Sequence, residues 1–252
     1  MSSTQQVSIL KLYEVFRNSL RMLRYRNCDE ARLTSLETYY DLETFTNQIK
    51  TSSSSIIIMS IIREYNNNKI LTVLAFLAPD KPVKKATFTE ILNFTETIRK
   101  EEETPEHNLV NIILITPTEQ TNFTNIIQAY NYTQPFEEGY ASIFNGEMGL
   151  CKSPYIELFT YEEFGFDKLS HDYVPKHTLL TREEKETMLT TYSLEENHLP
   201  QILTSDVVVR IIGGIEGAVI KIERVGYSTG ITIVYRKVVK NVLFEQKKKK
   251  KQ

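Results

Sequence analysis

The sequence predicts two modules: an α/β domain over about the first 165 residues, then a small α+β domain. Three observations predict this. Apolar, β-branched runs alternate with amphipathic stretches in the first part. The texture changes from His171 onward, where a capped helix and two glycine-bounded strands follow one another. A length of 252 residues suffices for two separate cores.

The elements read in order as follows. Ser8 to Leu23 carries Ile9, Tyr13, Phe16, Leu20 and Leu23 at three- and four-residue steps, the spacing of one helix face. Arg17, Arg21 and Arg24 share another face, which suits either nucleic acid or plain solvent, and solvent is the commoner use. Ser55 to Ile62 and Lys69 to Leu77 read as strands joined by a turn at Asn66, Asn67 and Asn68. Thr87 to Lys100 reads as a helix with Ile91, Phe94 and Ile98 on one side. Leu109 to Ile115 is a buried strand ended by Pro117, Phe123 to Tyr130 a helix, and Tyr155 to Thr160 a short strand. A linker is expected between Phe164 and Ser170.

In the second module, Thr181 and Glu184 form the pattern of a capping box opening a helix to Tyr192, with Met188, Leu189 and Tyr192 as its buried face. Asp206 suits the N-cap of a short turn through Ile211. Ala218 to Arg224 and Ile231 to Val239 read as strands joined by a turn at Gly226 to Gly230. The boundaries expected are 1–165, 166–246, and a solvated tail at 247–252.

Composition narrows the function. The net charge is −2 with 41% hydrophobic and 25% charged residues, ordinary for a globular protein. A chain gripping DNA alone is normally basic. Lys247 to Lys251 is the exception, readable as an import signal, a loose phosphate contact or a solubilising tail. No apolar run is long enough for a bilayer, and Met1 to Gln6 lacks a leader layout, so an intracellular protein without membrane partners is expected. Cys28 and Cys151 are read as reduced thiols. Two cysteines and four scattered histidines exclude the usual zinc spacings, and neither metal nor cofactor is expected.

No nucleophile elbow, P-loop or dinucleotide fingerprint is present. Gly213, Gly214 and Gly217 precede a strand and read as turn glycines. His171 and His177 bracket an extended Pro-containing segment and suit structural hydrogen bonds. Glu101 to Glu103 and Glu183 with Glu184 are chain neighbours, which do not converge on one point. A metal-dependent nuclease would need acids and a lysine on adjacent strands, yet Ser55 to Ile62 and Leu109 to Ile115 contain no Asp, Glu or Lys. No catalytic residue is therefore named.

One resemblance is specific. His171-Asp172-Tyr173-Val174-Pro175-Lys176-His177 is similar to an H-x-L-V-P-x-H segment. Leu180-Thr181, Glu184-Lys185, Met188-Leu189, Leu199-Pro200, Asp206, Arg210, Gly213, Gly217, Lys221, Arg224, Gly230, Tyr235 and Arg236 continue the same pattern in order. This stretch resembles the assembly domain of the fifth-largest subunit shared by eukaryotic nuclear RNA polymerases, and the archaeal counterpart of that subunit, which lacks the jaw. Upstream, Tyr155 to Phe159 resembles the strand closing that family's jaw domain, and Ile115-Thr116-Pro117-Thr118 resembles its Thr-Pro turn.

The resemblance implies a non-catalytic architectural subunit located in the nucleus. An α/β N-terminal jaw domain would precede a small α+β C-terminal assembly domain. The assembly domain would dock on the largest polymerase subunit and its neighbours through Pro175, His177, Arg224, Tyr235 and Arg236. Thr116, Pro117 and Thr118 would lie near downstream duplex DNA, contacted weakly and only within the complex. Val207 replaces the family's proline, Gly226-Tyr227-Ser228 replaces its Ser-Glu-Thr turn, and Glu119 places an acid beside the DNA path. These departures keep a class-specific or viral paralogue open as an alternative, with a nuclease fused to a binding module as the distant one.

Overall fold

The structure, a computed structural model, describes residues 8–51, 56–66, 68–79, 85–101, 109–117, 155–226 and 230–240. The described residues fall into two compact units that divide between Asp167 and Lys168. The helix expected at Phe123 to Tyr130, Cys151 and the lysine tail lie outside them.

The first unit opens with α1 (Ile9–Tyr25), α2 (Glu30–Tyr39) and α3 (Leu42–Thr51). The Ser8 hydroxyl caps α1 by accepting from the Lys11 amide, and Leu12, Val15, Phe16, Ser19, Leu20, Met22 and Leu23 form its buried face. Strands β1 (Ile56–Tyr65) and β2 (Asn68–Leu77) pair antiparallel with Ile56 opposite Leu77 and Tyr65 opposite Asn68. Asn66 begins their turn at φ 49°, a left-handed position that asparagine tolerates better than most side chains. Helix α4 (Lys85–Glu101) crosses over to β3 (Leu109–Thr116), parallel to β2, and β4 (Tyr155–Thr160) adds parallel to β3. The sheet order is β1-β2-β3-β4.

Both faces of this sheet are covered, so its strands read as near-continuous apolar runs. On one face Leu71, Val73, Ala75, Val110, Ile112, Leu114 and Ile156 pack with Ile91 of α4, flanked by Phe94 and Ile98. On the other, Phe76 meets Phe16 and Phe45 at ring distances of 5.6 and 5.8 Å and stacks on Tyr161 at 5.2 Å. Such aromatic pairs add about 0.5–1.5 kcal/mol each beyond the area they bury.

Helices α2 and α3 were not expected. Helix α2 buries only Leu33 and Leu36, too sparse a stripe to show as periodicity. Its start is nevertheless local chemistry, since the Asp29 carboxylate accepts from the Ala31 and Arg32 amides.

The second unit contains β5 (Lys176–Leu179), α5 (Arg182–Tyr192), β6 (Gln201–Leu203), α6 (Val207–Ile211), β7 (Val219–Gly226) and β8 (Gly230–Val239). The sheet order is β5-β7-β8-β6, with β6 parallel to β8 and the other pairs antiparallel. The capping box is present: the Thr181 hydroxyl accepts from the Glu184 amide and the Glu184 carboxylate from the Thr181 amide. Asp206 caps α6 through the Val208 and Val209 amides.

Met188 of α5 packs with Leu180, Leu199 and Val219, and Leu189 flanks them. Tyr192, expected in that face, is 56% exposed because it sits in the last turn of α5 and rests against Tyr235 at 5.9 Å. Lys185 takes the inward place instead, its ammonium held by Glu196. After α6 the chain returns through Gly213 (φ 70°) and Gly217 (φ 85°), left-handed positions that glycine occupies without strain. A Cβ on Gly214 would stand 2.9 Å from Val209 Cγ1, so the turn closes tightly on α6.

Candidate functional site

Strand alternation and register decide which predicted docking residues share a surface. His177 pairs with Ile222, Ile220 with Arg236, and Arg224 with Thr232. His177, Arg224 and Arg236 therefore lie on one face of the second sheet. Tyr235 pairs with Lys221 and lies on the opposite face. The five residues do not converge on a point. Arg224, Tyr235 and Arg236 belong to the β7–β8 ribbon, whereas His177 belongs to β5 and Pro175 precedes it.

Two of them are tied to each other. His177 Nδ1 lies 2.6 Å from the Pro175 carbonyl oxygen, so the ring carries a proton on Nδ1 and donates it there. This is the structural hydrogen bond expected of that histidine, and it holds the ring against its own segment. His171 Nδ1 accepts from the Tyr173 amide at 3.2 Å. Arg236 Nη1 donates to the Gln201 carbonyl at 3.3 Å, and Arg224 is exposed. Burial, followed by Tyr192, pushes the Tyr235 hydroxyl above its ordinary value, which keeps it neutral at physiological pH.

Of the residues expected near DNA, Thr116 and Pro117 are described. Thr116 is buried, and its hydroxyl donates to the Phe159 carbonyl at 3.2 Å across the β3–β4 pair. Its hydroxyl is thus turned into the fold. Pro117 follows at the sheet end, half-buried, and Thr118 lies outside the described residues.

The basic stripe of α1 is largely neutralised within the first unit. Arg24 makes a bidentate pair with Glu37 at 2.7 and 3.0 Å and reaches Glu30 at 2.9 Å, while Arg17 lies 4.0 Å from Glu37. Bonds to Glu37 and then Glu30 hold the Arg24 guanidinium above its already high ordinary value. The sequence shows the arginines but not their acids, which sit on the unexpected α2. Arg21 bonds Asn18 at 3.1 Å.

A second ion pair, buried on its cationic side, escaped the sequence altogether. Arg26, fully buried at the end of α1, makes a bidentate pair with Glu157 of β4 at 2.7 and 2.8 Å. Asn111 Nδ2 donates to the same carboxylate at 2.7 Å, and the guanidinium lies 5.9 Å from the Phe159 ring centre. The Cys28 thiol is buried nearby, and burial pushes it up to about 11, so it stays protonated.

Among the described residues no group of three or more His, Cys, Asp or Glu side chains could hold a metal ion, and no helix is long and apolar enough to cross a membrane. The polar groups that are brought together serve caps and internal ion pairs.

The described residues thus form an α/β unit followed in the chain by a small sheet module, with Arg224 and Arg236 on one face of its sheet and Tyr235 on the other. Residues 166–238 match the family model described as RNA polymerase Rpb5, C-terminal domain. The "DNA-directed RNA polymerases I, II, and III subunit rpabc1" of Dictyostelium discoideum is 38% identical over 117 residues, covering 46% of this chain and 57% of that protein. The "DNA-directed RNA polymerase subunit Rpo5" of Methanocaldococcus jannaschii is 37% identical over 73 residues, which are 29% of this chain and 94% of the archaeal one. The Caenorhabditis elegans subunit RPABC1 is 38% identical over 84 residues, 33% of this chain and 40% of the relative. The chain belongs to the Rpb5 family of RNA polymerase subunits. Its matched stretch spans 57% of the Dictyostelium relative and nearly all of the archaeal one.

Proposed function

We propose that this chain is an architectural, non-catalytic subunit of a nuclear, multisubunit DNA-dependent RNA polymerase. The observation that carries this reading is the family match over residues 166–238, which coincides with a unit folded around its own sheet from Lys168 onward. In this reading residues 166–246 dock on the largest subunit and its neighbours through Pro175, His177, Arg224, Tyr235 and Arg236. Arginine and tyrosine are frequent anchors of protein interfaces, and in this chain they project from a sheet that is already internally bonded.

Residues 1–165 form part of the jaw around downstream DNA. Thr116, Pro117 and Thr118 lie near the duplex in this reading, and with the Thr116 hydroxyl engaged inside the sheet any contact from Thr116 is through its backbone. Such contacts position DNA without reading its sequence. The net charge of −2 fits a protein that meets DNA only when the rest of the complex supplies the cations.

The test is affinity purification of the tagged full chain from a gentle extract, with mass spectrometry of everything retained. Stoichiometric recovery of the two largest polymerase subunits is expected, and the paralogues recovered identify the polymerase class. The Gly226-Tyr227-Ser228 departure favours a class-specific or viral paralogue as the second reading, distinguished by recovery of a single polymerase class. Recovery of the chain alone refutes both, and a manganese-dependent cleavage assay then tests the nuclease alternative.

A further inference from the structure

The β7–β8 ribbon outruns the strands that flank it. Strand β5 pairs with β7 only from Ile220 to Glu223, and β6 pairs with β8 only from Lys237 to Val239. Beyond those limits, Arg224 to Gly226 and Gly230 to Ile233 form a two-stranded projection whose residues are exposed or half-buried on both faces. A ribbon of two strands is marginal in water, and a third strand or a packed face is what normally stabilises it.

The composition of that edge is unusual. Gly230-Ile231-Thr232-Ile233-Val234-Tyr235 contains no charge and no proline. Natural proteins generally blunt open edges with lysine, proline, bulges or very short strands, because an open edge recruits another strand. On one face of the projection Val225, Ile231 and Ile233 are 84%, 68% and 45% exposed, with Val225 directly opposite Ile231.

The charges beside this edge are asymmetric. On the aliphatic face, Lys221 lies 2.5 Å and Lys176 3.8 Å from the Glu223 carboxylate, so the cations there already have an anion. On the opposite face Arg224 is exposed and Arg236 makes only a long bond to a carbonyl. A strand laid along β8 places alternate side chains on the two faces. Apolar residues would meet Ile231 and Ile233, and acids between them would approach Arg236 at the end of the same strand, with Arg224 one strand further in on β7.

We propose that the edge of β8 from Gly230 to Tyr235 is a strand-addition site for an extended partner-subunit segment, apolar at alternate positions and acidic between them. The inference rests on the reading of this chain as a docked subunit and adds the mode of docking. The backbone ladder supplies affinity, while Ile231, Ile233 and Arg236 select the sequence.

The test is hydrogen exchange by mass spectrometry on the full chain, free and within the complex purified through it. Amides of residues 230–235 are expected to exchange at least about tenfold more slowly in the complex, a protection worth about 1.4 kcal/mol. An I231K/I233K variant should keep the melting temperature, because both side chains are exposed, and lose at least about tenfold in retention of the complex. A complex that co-purifies with unprotected 230–235 amides overturns the strand-addition site and leaves the subunit reading standing. A free chain that is dimeric and already protected at 230–235 also overturns it, with a second copy as the occupant. If no polymerase subunit is retained, the subunit reading itself fails, and the partner strand with it.

Discussion

Replacing Glu157 with alanine should damage the first unit more than any surface charge change. The carboxylate accepts both Arg26 Nη atoms at 2.7 and 2.8 Å and Asn111 Nδ2 at 2.7 Å. The Arg26 side chain is 0% exposed and that of Glu157 14%. Removal of the acid deprives a buried cation of its bidentate anion, and breaking a buried pair from one side costs about 3–5 kcal/mol. For a unit of this size that is a fall in melting temperature of roughly 6–20 °C. Glu186→Ala is the internal control, because Arg182 and Glu186 are 50% and 60% exposed and such a pair contributes only about 0.3–0.5 kcal/mol. The double variant Arg26→Met with Glu157→Leu should recover most of the loss, since apolar side chains of similar volume need no counter-charge. The assay is thermal melting of the full chain, with hydrogen exchange of β3 and β4 to locate the effect. If Glu157→Ala is as mild as Glu186→Ala, or if the double variant is as damaged as the single one, the reasoning from burial is refuted.

Thr181→Ala should lower the stability of the second unit by about 1 kcal/mol through loss of its capping bond, with Thr181→Asn nearly neutral, as read in urea melts. Gly217→Ala should lower it by about 1–2 kcal/mol, because a side chain must then hold φ 85°; the same substitution at Gly165, at φ −59°, should not. Burial raises Glu196, but its bonds to Lys185 and Lys237 outweigh that and leave it below the ordinary carboxylate value. Its contribution is therefore complete above the unfolded value of about 4.5 and is lost as pH falls through the lower folded value. Glu196→Gln should flatten that acid limb, and salt should weaken the effect because Glu196 is 36% exposed.

The elements that the sequence determined are those whose signal is local. Ile9, Tyr13, Phe16, Leu20 and Leu23 recur at helical spacing, and Phe16, Leu20 and Leu23 of these are buried, so α1 was legible from periodicity although Ile9 and Tyr13 are only half-buried. Thr181 and Glu184 meet across a single helical turn, so the capping box was legible from two letters. The order of residues from His171 to Arg236 likewise carried the family likeness. Helix α2 was missed because two buried leucines make no period, and β6 because three residues make no alternation.

What only tertiary structure decided is where polar side chains end up. Arg26 and Glu157 are 131 residues apart in sequence, and no spacing rule joins them. The Thr116 hydroxyl looked available to a duplex until strand pairing turned it onto the Phe159 carbonyl. The arginines of α1 looked like a basic stripe until α2 brought Glu30 and Glu37 against Arg24. Tyr235 and Arg236 are neighbours in sequence, yet the pleat sends them to opposite faces, and register decides which residues join them there. Periodicity is written along the chain, whereas charge pairing and exposure depend on segments distant in sequence, and folding alone brings those together.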